Sequence, residues 1–313
     1  MERLSFASLT LSVMTSHKRL KLRQCTNCEC VINGVWEWVE ECARGAAAEE
    51  PAMRGILDDV CLSRNSLATS ISARLARKLS RRDMPRELIE PLIREALTED
   101  QNILSQIAQD LIAIVDRDPA CRTPLEPLLF YKGFHAITTY RISHWLWQHD
   151  RTIMALQFQS LASEVFAVDI HPAATIGCGI LLDHATSFVV GETAIIRDNV
   201  SILHEVTLGG TGKDEGKRHP TVCDNVLIGT GCKVLGPITI GENSRIGANS
   251  VVLTDIPANA TAIGIPASVV RINGNKVVHE SEVLNQRDYP DVVHAELAAL
   301  KQRLDALEQR DTE

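Results

Sequence analysis

Residues 222–252, VCDNVLIGTGCKVLGPITIGENSRIGANSVV, carry an aliphatic side chain at every sixth position: Val222, Ile228, Val234, Ile240, Ile246 and Val252. A period of six fits neither a 3.6-residue helix nor an isolated hairpin. It fits short strands joined by tight turns, with three hexads completing one triangular coil. An unbroken run of this kind excludes chance periodicity. The period extends toward the N-terminus through Val190, Ile196, Ile202 and Leu208, and, across a two-residue slip, through Ile170, Ile176 and Leu182. Gly follows the aliphatic position at 177, 191, 209, 229, 241 and 247, where a corner needs backbone freedom, so these glycines take no catalytic role. About thirteen hexads predict roughly four coils, stable only when stacked on one another.

Two places interrupt the pattern. Residues 209–221, Gly-Gly-Thr-Gly-Lys-Asp-Glu-Gly-Lys-Arg-His-Pro-Thr, are polar, glycine-rich and too long for a corner. They must project from the coil, as insertions in solenoids do, often on the binding face. The residues that depart from the aliphatic pattern are Asp169, His171, Asp183, His184, His204, Arg218 and His219. A lone histidine in a strand is more often structural than catalytic, and that reading is kept for His135, His171 and His204. Cys178, Cys223 and Cys232 sit in hexads without a matched base and read as small buried fillers.

Upstream of Val168 the spacing is helical. Leu67, Ile71, Leu75 and Leu79 line one face, and Ile103, Ile107, Leu111, Ile114 and Val115 another, in a helix that ends near Asp116. The expected helix starts are Asp83 before Pro85, Thr98 three before Gln101, and a capping box of Thr123, Pro124 and Glu126. Asp118 then lies on a turn between helices. Near the C-terminus Val293, Leu297, Leu300, Leu304 and Leu307 form a stripe of about two heptads, which needs a partner surface.

Composition bounds the function class. The chain has 313 residues with 45% hydrophobic and only 4% aromatic content, so the core must be filled by Ile, Val, Leu and Ala. A formal charge of −8 with no basic stripe excludes nucleic acid as a main partner, and no run of about 18 apolar residues reads as a membrane span. Nine irregularly spaced cysteines argue for a reducing compartment. The cluster Cys25, Cys28 and Cys30 lacks a second pair at zinc-site spacing and reads as a chance grouping in a loose tail. Residues 1–28 hold one acid against Arg3, Lys18, Arg19, Lys21 and Arg23, the composition of an organelle transit peptide or a disordered extension.

Read together, an ordered set of segments resembles serine O-acetyltransferase, a family within the hexapeptide-repeat acyltransferases. They are Asp118-Pro119-Ala120-Cys121, Tyr131-Lys132-Gly133-Phe134-His135, Val168-Asp169-Ile170-His171-Pro172-Ala173-Ala174, Leu182-Asp183-His184-Ala185-Thr186, Val190-Gly191-Glu192-Thr193, Val206-Thr207-Leu208-Gly209-Gly210-Thr211-Gly212 and Arg218-His219-Pro220. The match covers about residues 40–272. The fold so implied is α+β: an N-terminal all-helical domain, a left-handed parallel β-helix of hexapeptide repeats and a C-terminal helix. The expected division is 1–35 extension, 36–168 helical domain, 169–272 β-helix with protruding loop 209–221, and 273–313 tail. Left-handedness comes from the resemblance alone.

The resemblance implies acetyl transfer from acetyl-CoA to the hydroxyl of L-serine, giving O-acetyl-L-serine for cysteine synthesis, with L-cysteine as feedback inhibitor and no metal. It implies His184 as general base with Asp169 accepting from its other ring nitrogen, Asp118 and Asp183 on the substrate ammonium, and Arg218 and His219 on its carboxylate. A backbone N–H of the Gly209-Gly210 turn is the candidate oxyanion donor. Gly210, Thr230 and Ala248 match coenzyme A contacts, and Lys233, Arg245 or Arg271 offer charge to its phosphates. A homotrimer and a dimer of trimers are implied, in the cytoplasm, or in a plastid or mitochondrion if residues 1–35 are a transit peptide. Lys217, Ser187 and Ser268 depart from the family's usual Asp, Gly and Arg. The chain ends Asp311-Thr312-Glu313, whereas relatives that dock into O-acetylserine sulfhydrylase end in Ile, which speaks against that partnership. Alternatives are a homoserine or sugar O-acetyltransferase, a γ-type carbonic anhydrase using His184, His204 and His219, and an inactive scaffold.

Overall fold

The computed structural model describes residues 27–212, 215–277, 300, 301 and 303. Cys25, the basic leading segment through residue 26, and the C-terminal stripe apart from Leu300 lie outside the described residues. Among the described residues the chain forms eight α-helices, α1 (Cys28–Glu49), α2 (Arg54–Leu57), α3 (Leu67–Leu79), α4 (Arg86–Glu99), α5 (Gln101–Arg117), α6 (Leu125–Phe130), α7 (Lys132–Gln148) and α8 (Thr152–Phe166), and then a parallel β-solenoid.

The helices follow from their apolar faces and caps. In α3, Leu67, Ile71, Leu75 and Leu79 are all buried, and the Ser66 hydroxyl accepts from the Thr69 amide at 3.3 Å. In α5 the expected inward residues Ile103, Ile107, Leu111, Ile114 and Val115 are buried, and Asp100 caps the start by accepting from Asn102 N–H at 2.9 Å. Three expectations change here. Thr98 does not start a helix; it ends α4, donating its hydroxyl to the Arg94 and Glu95 carbonyls, and Asp100 takes the cap. Thr123 does not cap α6, because Pro124 occupies the cap position and Glu126 instead accepts from the Arg122 amide at 3.3 Å. Cys28 and Cys30 are not in a loose tail. They open α1, where Asn27 accepts from the Cys30 amide at 2.7 Å and Ile32, Val35 and Trp38 face the core. Cys30 is disulfide-bonded, a departure from the all-thiol state expected of a reducing compartment; Cys28, Cys61, Cys121, Cys178, Cys223 and Cys232 are thiols.

The solenoid strands fall into three faces. Face A holds β1 (Val168–Ile170), β4 (Phe188–Val190), β7 (Thr207–Gly209), β10 (Lys233–Leu235) and β13 (Val251–Val252). Face B holds β2 (Thr175–Ile176), β5 (Ile195–Ile196), β8 (Thr221–Val222) and β11 (Thr239–Ile240), extended by a bridge from Ile240 to Ile256. Face C holds β3 (Leu181–Leu182), β6 (Ser201–Ile202), β9 (Leu227–Ile228), β12 (Arg245–Ile246) and β14 (Ala260–Gly264), closed by the antiparallel strands β15 (Ala267–Ile272) and β16 (Asn275–Lys276). Five coils result rather than about four, because the last is built from Val252, Ile256 and Ala262, where Ala replaces the branched aliphatic residue that marked the earlier hexads.

Register explains the period. On face A, Ile170 pairs with Val190, Val190 with Leu208, Leu208 with Val234 and Val234 with Val252. Successive sixth residues therefore pass to the three faces in turn and stack in three interior columns, and each column residue is buried. Burial of one such side chain is worth roughly 1.5–3 kcal/mol, so the stack holds the coils together. Between strands, Asn199, Asn225, Asn243, Asn249 and Asn259 take positive φ, the left-handed conformation that Asn tolerates at a corner.

Two helices weld the helical region to the first coils. Arg141 of α7 donates to Asp110 of α5 at 2.7 and 3.0 Å and to the Gly177 carbonyl at 2.7 Å, while Asp110 also accepts from the Ile180 amide at 2.8 Å. Burial pushes the Asp110 carboxyl upward, and Arg141 with the Ile180 amide opposes that shift.

Candidate active site

Both interruptions of the period fall at coil corners. Between β3 and β4, at the corner leading from face C to face A, Leu182 and Val190 lie eight residues apart, and the added length forms a strained turn. His184, Ala185 and Ser187 have φ of 55°, 62° and 59°. Left-handed conformations in non-glycine residues persist only when their surroundings fix them. Ser187 N–H donates to Ala167 O at 2.8 Å, Glu205 N–H to Thr186 O at 2.7 Å, and Lys132 Nζ to Thr186 Oγ1 at 2.5 Å. Gly133, in the first turn of α7, is pressed against this turn: a Cβ there would stand 2.0 Å from Leu182 O.

The turn projects His184 outward, with its side chain 73% exposed and Nε2 3.7 Å from Asp183 Oδ1. Its ring meets His204 edge-on at 5.7 Å. Beside it lies a cavity of about 350 Å³ whose lining includes Arg117, Asp118, Leu181, Asp183, Ser201 and Leu203. Asp118 closes α5 and accepts from Ala120 N–H at 2.8 Å, which leaves its other oxygen without a turn contact. The acids Asp118 and Asp183 thus share one cavity next to an imidazole.

In the second interruption, the described residues 215–221 fold back over the corner leading from face A to face B. Arg218 pairs with Glu192, whose carboxyl it holds below the usual range. His219 lies flat on Gly191, where a Cβ would stand 2.0 Å from the ring, and its Nδ1 sits 2.9 Å from Thr193 Oγ1. Burial lowers the His219 pKa, with Arg218 adding to the effect, which favours the neutral ring. Lys217 donates to Thr193 O at 2.7 Å. Arg218 and His219 therefore occupy a different corner from Asp118, Asp183 and His184, and one chain does not bring the two groups together.

The structure also does not join Asp169 to His184. On β1 the Asp169 side chain points out of face A, and its carboxylate accepts from Gln159 of α8 at 2.7 Å. The nearest acid to His184 is Asp183.

One register places the coenzyme candidates. His184, His204, Thr230 and Ala248 each follow the face C column residue by two positions, so they lie down one corner in successive coils. Gly231 N–H to His204 O at 3.0 Å and Asn249 N–H to Thr230 O at 2.7 Å mark the steps. At about 4.8 Å per coil the line runs roughly 14 Å from His184. Gly210 belongs to the other corner, against the Arg218 backbone. Lys233 donates to the Glu205 and Gly231 carbonyls at 2.6 and 3.0 Å, so it is a corner tie. Arg271 lies on exposed β15.

His204 reads as structural from sequence, yet its ring meets the candidate base; its place two residues after Ile202, matching His184 after Leu182, is the available signal. His135 is buried and held to Leu128 O at 2.8 Å, and His171 packs edge-on against Trp147 at 5.3 Å. Cys232 is buried as expected, whereas Cys178 and Cys223 are only half-buried because they lie at coil corners. Burial raises all three thiols, Cys178 to about 11, which disfavours the thiolate. Among the described residues no three His, Cys, Asp or Glu side chains converge as a metal site would require.

A helical region followed by a hexad solenoid, with an exposed imidazole beside an acid-lined cavity, defines a hexapeptide-repeat acyltransferase. Residues 35–139 match the family "Serine acetyltransferase, N-terminal" and residues 219–254 match "Bacterial transferase hexapeptide (six repeats)". The serine acetyltransferase of Salmonella typhimurium is 47% identical over 236 residues, 75% of this chain and 86% of that protein. A solved serine acetyltransferase from Brucella abortus in complex with coenzyme A superposes with a TM-score of 0.74 at 42% identity, covering 75% of this chain and 94% of that one. A serine acetyltransferase in complex with cysteine gives 0.75 at 46%, covering 76% and 98%. The chain belongs to the serine acetyltransferase family.

Proposed function

We propose that this enzyme transfers the acetyl group of acetyl-CoA to the hydroxyl of L-serine, giving O-acetyl-L-serine and CoA, and that L-cysteine inhibits it by occupying the serine site. The observation that carries the reading is the strained corner turn that sets His184 beside the Asp118 and Asp183 cavity. His184 takes the proton from the serine hydroxyl as its oxygen attacks the thioester carbonyl. The tetrahedral intermediate collapses with loss of the CoA thiolate, which recovers the proton from the imidazolium. The two acids bind the ammonium group that serine and cysteine share. Asp169 serves as the partner of His184 once the exposed ring turns and displaces Gln159. The pantetheine arm follows Thr230 and Ala248 down the corner, with Gly210 and the charge of Arg271 as further contacts.

We further propose a homotrimer, assembled as a dimer of trimers. Arg218 and His219 hold the serine carboxylate, and only a second copy can bring their corner to the corner of His184. Our domain division is 36–168 for the helical part and 169–272 for the catalytic coil, with 1–35 and 273–313 outside them, although α1 crosses the first boundary and carries Ile32 and Val35 into the helical core. We place the enzyme in the cytoplasm; a reporter carrying residues 1–35 that collected in an organelle would overturn this.

Purified protein is assayed for thiol release with acetyl-CoA and a panel of hydroxyl acceptors. L-serine should be preferred, and His184→Ala should lose about 10²–10⁴-fold in kcat; a retained rate removes the base role. Mixing and reassembling His184→Ala with Arg218→Ala should restore part of the activity, since some interfaces then hold both intact halves. No recovery from mixed oligomers argues against a shared site.

A further inference from the structure

The substrate acid Asp118 sits at the very end of α5, where helices fray, and its place in the cavity therefore needs a cause. Arg117, one residue earlier, supplies it. Its guanidinium reaches the second coil at the wall of the same cavity: Nη1 donates to Asn199 O at 3.0 Å and to Ser201 Oγ at 3.2 Å, and Nη2 donates to Asn199 Oδ1 at 3.0 Å. Asn199 is itself a fixed point, a corner residue at φ 59° whose amide donates to Cys178 O at 2.8 Å. Seven residues earlier on the same helix, Asp110 accepts from the Ile180 amide of the first coil. α5 is thus gripped twice along the corner between faces B and C, once per coil, and Asp118 is the first residue past the second grip.

Resting on the function proposed above, we infer that Arg117 is a positioning residue for serine recognition: it latches the end of α5 to Asn199 and Ser201 and so fixes Asp118 opposite Asp183. Its role is positioning and not binding: Nη1 and Nη2 are engaged by the coil, and a cation at the cavity wall gives no attraction to the substrate ammonium. The Asp118 turn follows directly on the latch, with Ala120 N–H bonding Asp118 Oδ1 at 2.8 Å and Cys121 N–H bonding Asp118 O at 3.1 Å, so motion of the helix end passes to it. Loosening the latch should weaken the ammonium contact while leaving the base and the thioester untouched.

The test uses the full-length protein with Arg117→Ala, Arg117→Lys, Asp118→Asn and the Arg117→Ala/Asp118→Asn double variant. Arg117→Ala should raise KM for L-serine and the inhibition constant of L-cysteine by about tenfold, the size expected for losing a charged hydrogen-bonded anchor. The kcat and the KM for acetyl-CoA should stay within about twofold, Arg117→Lys should recover part of the loss, and Asp118→Asn should add little to Arg117→Ala. Should Arg117→Ala fold poorly, Asn199→Gly keeps the positive φ and removes the side-chain acceptor from the other side. Hydrogen exchange at the Ala120 and Cys121 amides supplies a readout independent of activity, and it should quicken in Arg117→Ala. Unchanged exchange in a folded variant overturns the latch whatever the substrate is. Faster exchange with an unaltered serine KM, or fully additive effects of the two substitutions, overturns its link to Asp118. Absence of serine-dependent thiol release from the unaltered enzyme would sink the proposed function, and the exchange result would still decide the latch.

Discussion

Ser187 holds a left-handed backbone conformation, φ 59°, that costs an L residue of order 1 kcal/mol and glycine almost nothing. Ser187→Gly should therefore stabilise the fold by about 0.5–1 kcal/mol, read as a higher urea midpoint at unchanged slope. A lower midpoint would mean that the serine side chain contributes more than its backbone costs. Gly191 works in the opposite sense, since Gly191→Ala would put a methyl group into the His219 ring. That substitution should raise the serine KM by about tenfold or more while thermal stability changes little, because the ring can swing outward; the proposed carboxylate contact fails if KM is unaffected. Sequence alone revealed a two-residue slip between Leu182 and Val190 and an interruption of the period at 209–221. It could not reveal that the first break is stored as three positive φ values, because those are fixed by a hydrogen bond from Ser187 N–H to the Ala167 carbonyl and by bonds that Lys132 and Glu205 donate to Thr186, from groups distant in the chain or on another coil.

Among the elements, α5 and α7 carry the junction between helices and coil. The side chains of Arg141 and Asp110 are 2% and 0% exposed, so removing one partner strands a buried charge. Asp110→Ala should cost about 3–5 kcal/mol in chemical denaturation, whereas Asp110→Leu combined with Arg141→Leu should cost less than Asp110→Ala alone. A double substitution as costly as the sum of its parts would show the pair to be independent. The apolar periods of α3 and α5 were legible, since one-face spacing is a property of the helix itself. Their caps were less so: Thr98 and Thr123 are good cap residues on local grounds, but packing gave the role to Asp100 and moved the start of α6 past Pro124.

At the level of the whole molecule, four histidines share one electrostatic consequence of burial. Desolvation lowers His135 to about 3 and depresses His144, His171 and His219 below the ordinary 6.5. In the folded state they hold fewer protons than in the unfolded state once pH falls below 6.5, so unfolding takes up protons. Stability is therefore fully present above pH 6.5 and is lost as pH falls toward the folded values, by up to about 1.4 kcal/mol per pH unit for each proton. Denaturation curves between pH 7 and 5 should show that decline, and His135→Gln should flatten it. A stability independent of pH over this range would show that these groups are solvated.

The six-residue period determined the solenoid by itself, because stacking identical coils requires the same side-chain position to point inward in each, and that requirement is written at every sixth residue. The period also marked, by its breaks, the two corners that carry the candidate site residues. Only the tertiary structure decided which distant groups meet: that Asp118 joins Asp183, that His204 touches His184, that Asp169 is engaged by Gln159, and that Arg117 grips the second coil. These contacts join residues from about 10 to over 80 positions apart, set by how helices dock on a coil, and no local pattern in the chain encodes that docking.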